Sequence, residues 1–184
     1  MPTRIPLMEP ENTPAETRAV FETLPVHLDI FKLMAVAENH FRPLLRLGAS
    51  ILGQQELDPK LREFAILQAA ALTPGRYEWV QHVPIALAAG ARDEQIEALE
   101  RGDLGASVWD ERESLLLRFG AQALRETRVD AELFSEMQGA FSSREIVEVL
   151  ITLGYYNMLA RLTEVVDLDP QSPAGTAVSD AAKR

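Results

Sequence analysis

Apolar side chains recur along most of this chain at spacings of three and four, the period of a helix face, and no stretch shows the two-residue alternation of a strand. Residues 58–90 depart from the one-sided pattern. From Phe64 to Leu72 the one polar side chain is Gln68, and a helix apolar on most sides belongs inside the protein. Asp58 is placed to cap that helix, with Pro59 at the first helical position, where its missing N–H loses nothing. The break Thr73-Pro74-Gly75 separates it from a second helix that runs to Gly90. Pro84 inside this second helix cannot donate to the Val80 carbonyl, so a kink is expected one turn from His82.

Amphipathic helices surround this pair. Thr13 and Glu16 read as a capping box with Pro14 at the first helical position, opening a helix to about Leu24. Residues 28–38 carry Ile30, Phe31, Met34 and Val36 on one side. Residues 40–52 carry Leu44, Leu45, Leu47, Ile51 and Leu52. A short helix covers 93–100, with acids in its first turn suited to the helix dipole. Asp110 with Glu113, and then Asp130, mark two further starts. Ser142 and Glu145 form a capping box that opens the longest helix, to about Val166. The pattern predicts an all-α bundle of about eight helices. It divides the chain into an extended arm over 1–12, one helical domain over 13–167, and a flexible tail or subunit-crossing arm over 168–184.

Composition narrows the function classes. The 184 residues suffice for one domain with a real core. A net charge of −10, from 18 Lys and Arg against 28 Asp and Glu, opposes binding to nucleic acid or an anionic membrane. There is no Cys, which removes disulfides and Cys-rich zinc sites and suits a cytoplasmic protein. No apolar run reaches transmembrane length, the first six residues have no signal-peptide core, and no fixed-period repeat is present.

The tight grouping of ionisable residues among apolar ones is Glu63, Glu78 and His82. Glu78 and His82 are four apart and share a helix face. A carboxylate there can accept from one imidazole nitrogen, fix the tautomer and free the other nitrogen for proton transfer. The plainer readings are a solvated Glu–His pair, and for Glu63 a first-turn acid facing the helix dipole. Two carboxylates and an imidazole also make a facial metal set, ranked here below acid–base use. Phe31 and Phe41 are candidate pocket walls or plain core; His27 and His40 suit surface or capping roles. A second strip, Tyr155 to Arg161, places Asn157 and Arg161 one turn apart. Arg161 suits a forked contact to a substrate carboxylate, or a salt bridge to Glu164 or to another subunit.

The arrangement Leu57-Asp58-Pro59-x-x-Arg62-Glu63, an apolar helix, and Tyr77-Glu78-Trp79-x-x-His82-x-x-x-Ala86-x-x-x-Gly90 resembles the carboxymuconolactone decarboxylase family, which shares the alkylhydroperoxidase D-like fold. The likeness is detailed over 57–99 and looser to Arg161. Its thiol-peroxidase branch carries a glutamate, a Cys-x-x-Cys pair and a histidine. These positions fall here on Glu63, Gly75, Glu78 and His82. Disulfide-cycling peroxide reduction needs a thiolate, so a chain without Cys lacks that chemistry. The resemblance implies a cofactor-independent lyase acting on a small unsaturated acid or lactone. His82 would be the general acid oriented by Glu78, with Glu63 a second proton carrier or orienter. Tyr77 or Tyr155 would stabilise an oxyanion, and Arg161, with Asn157 on its face, would anchor a carboxylate. It further implies a homo-oligomer, trimer or hexamer. An isomerase or hydratase, and a non-catalytic binding or assembly protein on the same fold, remain the alternatives.

Overall fold

The structure, a computed structural model, describes residues 3–183. Ten α-helices occur among them: α1 (Ala15–Phe21), α2 (Asp29–Met34), α3 (Glu38–Gly53), α4 (Pro59–Leu72), α5 (Arg76–Ala88), α6 (Asp93–Glu100), α7 (Glu111–Glu126), α8 (Ala131–Ala140), α9 (Ser143–Val165) and α10 (Ala177–Ala182). Eight have seven or more residues, and no strand occurs among the described residues. The fold is the all-α bundle that the sequence pattern predicts. No helix among the described residues is long and apolar enough to cross a membrane.

Helix α4 is the axis of the bundle. It packs against α5, α7 and α9, and its residues from Leu61 to Ala70 are all buried. Its start is fixed by Asp58, whose side chain accepts from the backbone N–H of Lys60 at 2.9 Å and of Leu61 at 3.3 Å. The capping boxes expected at Asp110 and Ser142 are both formed. Gly90, at φ 98°, ends the turn after α5, a conformation glycine adopts without a Cβ penalty.

Three boundaries differ from the sequence reading. Thr13 does not cap α1: its hydroxyl donates back to the Pro10 carbonyl at 2.6 Å, so the preceding single 3-10 turn at Pro10–Asn12 takes the hydrogen bond that the capping box needed. That turn also interrupts the arm expected to be extended over 1–12, of which residues 1 and 2 lie outside the described residues. Helix α2 stops at Met34, and α3 begins at Glu38 and continues through Pro43. The segment expected as a flexible tail is laid against the body over 168–183; Arg184 lies outside the described residues. Its helix α10 packs on α3. The contact is so close that a Cβ on Gly53 would stand 2.0 Å from the Ala182 carbonyl oxygen. The sequence shows small Ala side chains there but not the glycine facing them, which lies more than a hundred residues earlier.

Candidate active site

The site forms where α4, α5 and α9 meet, because two polar residues of α5 project into the most apolar part of the chain. Glu63 on α4 is fully buried, at 0% exposure, and Glu78 and His82 on α5 are 2% and 8% exposed. A carboxylate at such a depth must be hydrogen-bonded or neutral. The two glutamates meet that demand in different ways.

Glu63 has a basic partner on each carboxyl oxygen. Its Oε1 accepts from Arg62 Nε at 3.1 Å and Nη2 at 3.0 Å. Its Oε2 lies 2.8 Å from His82 Nδ1. With the carboxylate as acceptor, Nδ1 carries a proton, which leaves Nε2 as an acceptor in the neutral ring and a donor in the imidazolium. Tyr156 stands edge-on to the imidazole, with ring centroids 4.8 Å apart, and fixes its plane. Arg62 is 4% exposed and has no other carboxylate partner among the described residues. The chain Arg62–Glu63–His82 therefore aligns three charge-bearing groups across one buried carboxylate.

Glu78 does not orient His82, as the sequence reading expected. Its carboxyl oxygens instead lie 3.2 and 3.1 Å from the Thr163 hydroxyl on α9. The four-residue spacing put Glu78 and His82 on one face, but Glu63 from the neighbouring helix reaches Nδ1 first. Glu78 is consequently without a cation partner. Burial pushes its carboxyl up to about 7, only partly offset by its own backbone N–H, the Thr163 hydroxyl and the nearby His82. The Thr163 hydroxyl also lies 3.2 Å from the Leu159 carbonyl and 3.1 Å from that of Ala160. One hydroxyl has one proton. It donates to Glu78 when that residue is charged, or to its own helix while accepting from Glu78 when that residue is protonated. Either state of Glu78 is thus satisfied in place. Space for the carboxyl comes from Gly75: a Cβ there would stand 2.9 Å from Glu78 Oε2 and 2.7 Å from the Ala160 methyl.

Glu78 and His82 open onto a cavity of about 510 Å³. Its walls are mostly apolar, Leu28, Ile30, Phe31, Met34, Ile85 and Leu159 among them, with Arg42, Arg46, Gln81 and the three tyrosines Tyr77, Tyr155 and Tyr156 among the polar exceptions. Phe31 is a wall, as one sequence reading had it; Phe41 is buried core and does not line the cavity. The C-terminal segment closes one side through Ala174, Val178 and Ala182. It is fastened by Gln171, whose Oε1 accepts from the Asp29 backbone N–H at 2.5 Å and from the Tyr77 hydroxyl at 2.9 Å. Gln81 seals the seam, donating to the Gln171 carbonyl at 3.1 Å and accepting from Ala174 N–H at 3.1 Å.

Tyr77 and Tyr155 line the cavity, but both hydroxyls are already engaged. Tyr77 donates to Gln171, and Tyr155 to the Leu44 carbonyl at 3.0 Å. Burial raises the pKa of each, so both stay neutral phenols. Asn157 and Arg161 are not in this cavity. They line a separate concavity with Gly154, Met158 and Leu162, and exposed Arg161 donates to the Asn157 carbonyl at 3.0 Å. The three- and four-residue rhythm of α9 places them on its outer face, away from Tyr155 and Tyr156. Glu164, the alternative partner of Arg161, pairs with Arg76. The facial metal set is not assembled either: among the described residues no three His, Cys, Asp or Glu side chains are grouped to hold a metal. Sequence reasoning passed over Arg62 and Thr163, and placed Tyr156 in the strip Tyr155 to Arg161 without a role of its own. Arg62 stood next to Glu63 in the motif, and its position beside a buried acid was the available signal. Nothing local marked Thr163.

The comparisons bear on the part of the chain that builds this site. The carboxymuconolactone decarboxylase family model matches residues 38–117, which contain Arg62, Glu63, Glu78 and His82. Comparison with curated proteins returns no match. Among solved structures, an uncharacterized peroxidase-related protein with an alkylhydroperoxidase AhpD core, from Ralstonia eutropha, superposes with a TM-score of 0.80 at 17% identity, covering 93% of this chain and 94% of that one. An uncharacterized peroxidase-related protein from Silicibacter sp. superposes with a TM-score of 0.78 at 20% identity, over 92% of both chains. A protein of unknown function from Agrobacterium tumefaciens, linked by name to AhpD and antioxidant defence, gives 0.68 at 19% identity over 74% of this chain and 94% of its own. These likenesses establish the fold.

Proposed function

With residues 38–117 carrying the sequence pattern of the carboxymuconolactone decarboxylase family on an alkylhydroperoxidase D-like fold, we propose that the protein is an acid–base enzyme, a cofactor-independent lyase that decarboxylates a small, largely apolar unsaturated acid or lactone acid. The observation that supports this most is the division of labour between the two buried glutamates. Glu63 accepts from Arg62 and orients His82, whereas Glu78 is left without a cation and holds its proton near neutral pH. Opposite environments for paired titratable groups are how one site supplies both an acid and a charge stabiliser. Without a Cys in the chain, thiol peroxidase chemistry is not part of the reading.

In the proposed reaction the apolar cavity strips water from the substrate carboxylate. The C–CO2 bond breaks, and its electron pair moves into the conjugated carbonyl, giving a dienolate and CO2. The imidazolium form of His82, backed by Glu63, stabilises the enolate oxygen from Nε2. Glu78 delivers its proton to carbon and regains one from solvent. The net change is one proton taken up and one CO2 released. Expected result: in D2O, turnover of an unsaturated lactone acid releases CO2 and leaves one deuterium on the product carbon. His82→Gln lowers the rate by roughly 10²–10⁴-fold, the usual worth of one acid–base group, with helical content unchanged. Full turnover by that variant removes His82 from the reaction.

We propose, in addition, that the protein works as a homo-oligomer, a trimer or hexamer as the family resemblance implies. The support is one stripe of α9 on which Val147, Leu150, Ile151, Leu162 and Val165 are all exposed at helical spacing. Apolar side chains in a continuous row mark contact surfaces. Light scattering on the purified protein is expected to give a multiple of the 20.4 kDa chain mass, and Leu150→Glu with Val165→Glu to reduce it. A monomer at micromolar concentration refutes the assembly.

A further inference from the structure

We propose that Arg42 and Arg46 form a cationic rim that captures the carboxylate of an amphipathic substrate at the mouth of the cavity, a role the sequence reading gave to Arg161. The two are one turn apart on α3, and both line the cavity. Six of the lining residues are exposed and so mark the mouth: Ala19, Thr23, Pro25, Arg42, Arg46 and Ala49. The only charges among these six are the two guanidinium groups.

Neither arginine has an ion pair or side-chain hydrogen bond among the described residues. Among the other described arginines, Arg125 and Arg128 share that state, but most do not in this chain. It carries 28 acidic against 18 basic residues, and Arg76, Arg92, Arg101, Arg112, Arg118 and Arg144 all have carboxylate partners. Glu38, one turn before Arg42, makes no ion pair with it. Like charges one turn apart on a helix repel, so the pair is a small liability to the empty protein. An anion lodged between them reverses that sign. The cavity behind is apolar, and low-dielectric walls concentrate the field of a charged mouth. The planar guanidinium fork matches a carboxylate.

The combination selects a molecule with an anionic end at the mouth and a body that is apolar, planar or chain-like apart from the group that reacts, of the size that a cavity of about 510 Å³ admits. The inference rests on the cavity of the proposed enzyme being its substrate site, and it deepens that reading by assigning the substrate's charge. A second carboxylate, next to His82, would be the one that leaves; the one at the rim stays.

The test reads binding, not turnover. Calorimetric titration at low salt uses cinnamate and methyl cinnamate, equal in body and different in charge. Cinnamate is expected to bind about 10-fold more tightly than its ester, and the preference to shrink in high salt. Arg42→Gln/Arg46→Gln is expected to remove the preference while keeping ester affinity, and Arg42→Lys/Arg46→Lys to keep most of it. Equal binding of acid and ester by the native protein, no binding of either, or an undiminished preference in the double Gln variant overturns the proposal. Because no reaction is needed, loss of the rim leaves the D2O experiment on His82 standing, and failure of that experiment leaves the rim.

Discussion

Glu63→Ala is expected to destabilise the fold by about 3–5 kcal/mol, the range seen when one partner of a buried ion pair is removed. The size comes from what is left behind. Glu63 is at 0% exposure and accepts two hydrogen bonds from Arg62, itself 4% exposed. Without the carboxylate the guanidinium is a buried cation with no counter-charge. Urea denaturation checks the value; a loss under about 1 kcal/mol would mean that water or a rearranged side chain reaches Arg62. Two companion variants separate charge from shape. Arg62→Met/Glu63→Leu removes both charges and is expected to lose less than Glu63→Ala alone, because replacing a whole buried pair with apolar groups is often close to neutral. Glu63→Gln keeps the volume but changes the imidazole. With the amide oxygen facing Arg62, the amide nitrogen faces His82 Nδ1 and donates to it. The ring proton must then move to Nε2. Nitrogen NMR of His82 is expected to show that exchange of tautomer, and the proposed reaction to lose its rate while the fold survives.

The contrast between helix and site shows what a linear reading can reach. Helix starts were legible where the cap is local: Asp58, Asp110 and Ser142 each bond backbone groups two or three residues on. Thr13 failed because its hydroxyl had a second local acceptor three residues back. The buried character of α4 followed from its apolar run, interrupted by Gln68 alone between Phe64 and Leu72, and so did the convergence of Glu63 and His82. What spacing could not decide was which glutamate takes the imidazole. Two carboxylates were within reach, and the choice depends on how α4 and α5 are rotated against each other, a property of packing across both helices. The same limit misplaced Arg161. On α9 the inner and outer faces are both apolar enough that sequence does not say which one meets the core; the outer one carries Leu150, Leu162 and Val165 exposed. The C-terminal segment was composed like a tail, yet Gln171 binds three groups contributed by Asp29, Tyr77 and Gln81. Composition gives no weight to such long-range partners.

Glu78→Gln is expected to stabilise the protein at pH 8 by about 3 kcal/mol and to abolish the proposed proton delivery, so that stability and function move in opposite directions. The sign follows from the direction of the shift. Burial raises the Glu78 carboxyl from its ordinary 4.5 to about 7 in the folded protein. Below the ordinary value both folded and unfolded chains hold the proton, and the native residue costs nothing. Between there and about 7 the unfolded chain ionises while the folded one does not, and stability drains away. Above about 7 the whole cost is in place, at 1.36 kcal/mol per pKa unit. A glutamine is neutral throughout and can donate to Thr163, so its advantage is full at pH 8 and shrinks to under about 1 kcal/mol at pH 5. Denaturation at the two pH values reads this directly; an advantage equal at both would place Glu78 in an ordinary carboxylate environment. The same titration governs the proposed reaction, since only protonated Glu78 delivers a proton. Turnover by the native protein is expected to fall as pH rises through about 7. A fold that gives up this much stability at one buried position, with Gly75 leaving room for the carboxyl and Thr163 able to satisfy both of its states, carries the strain where a proton has to be both held and released.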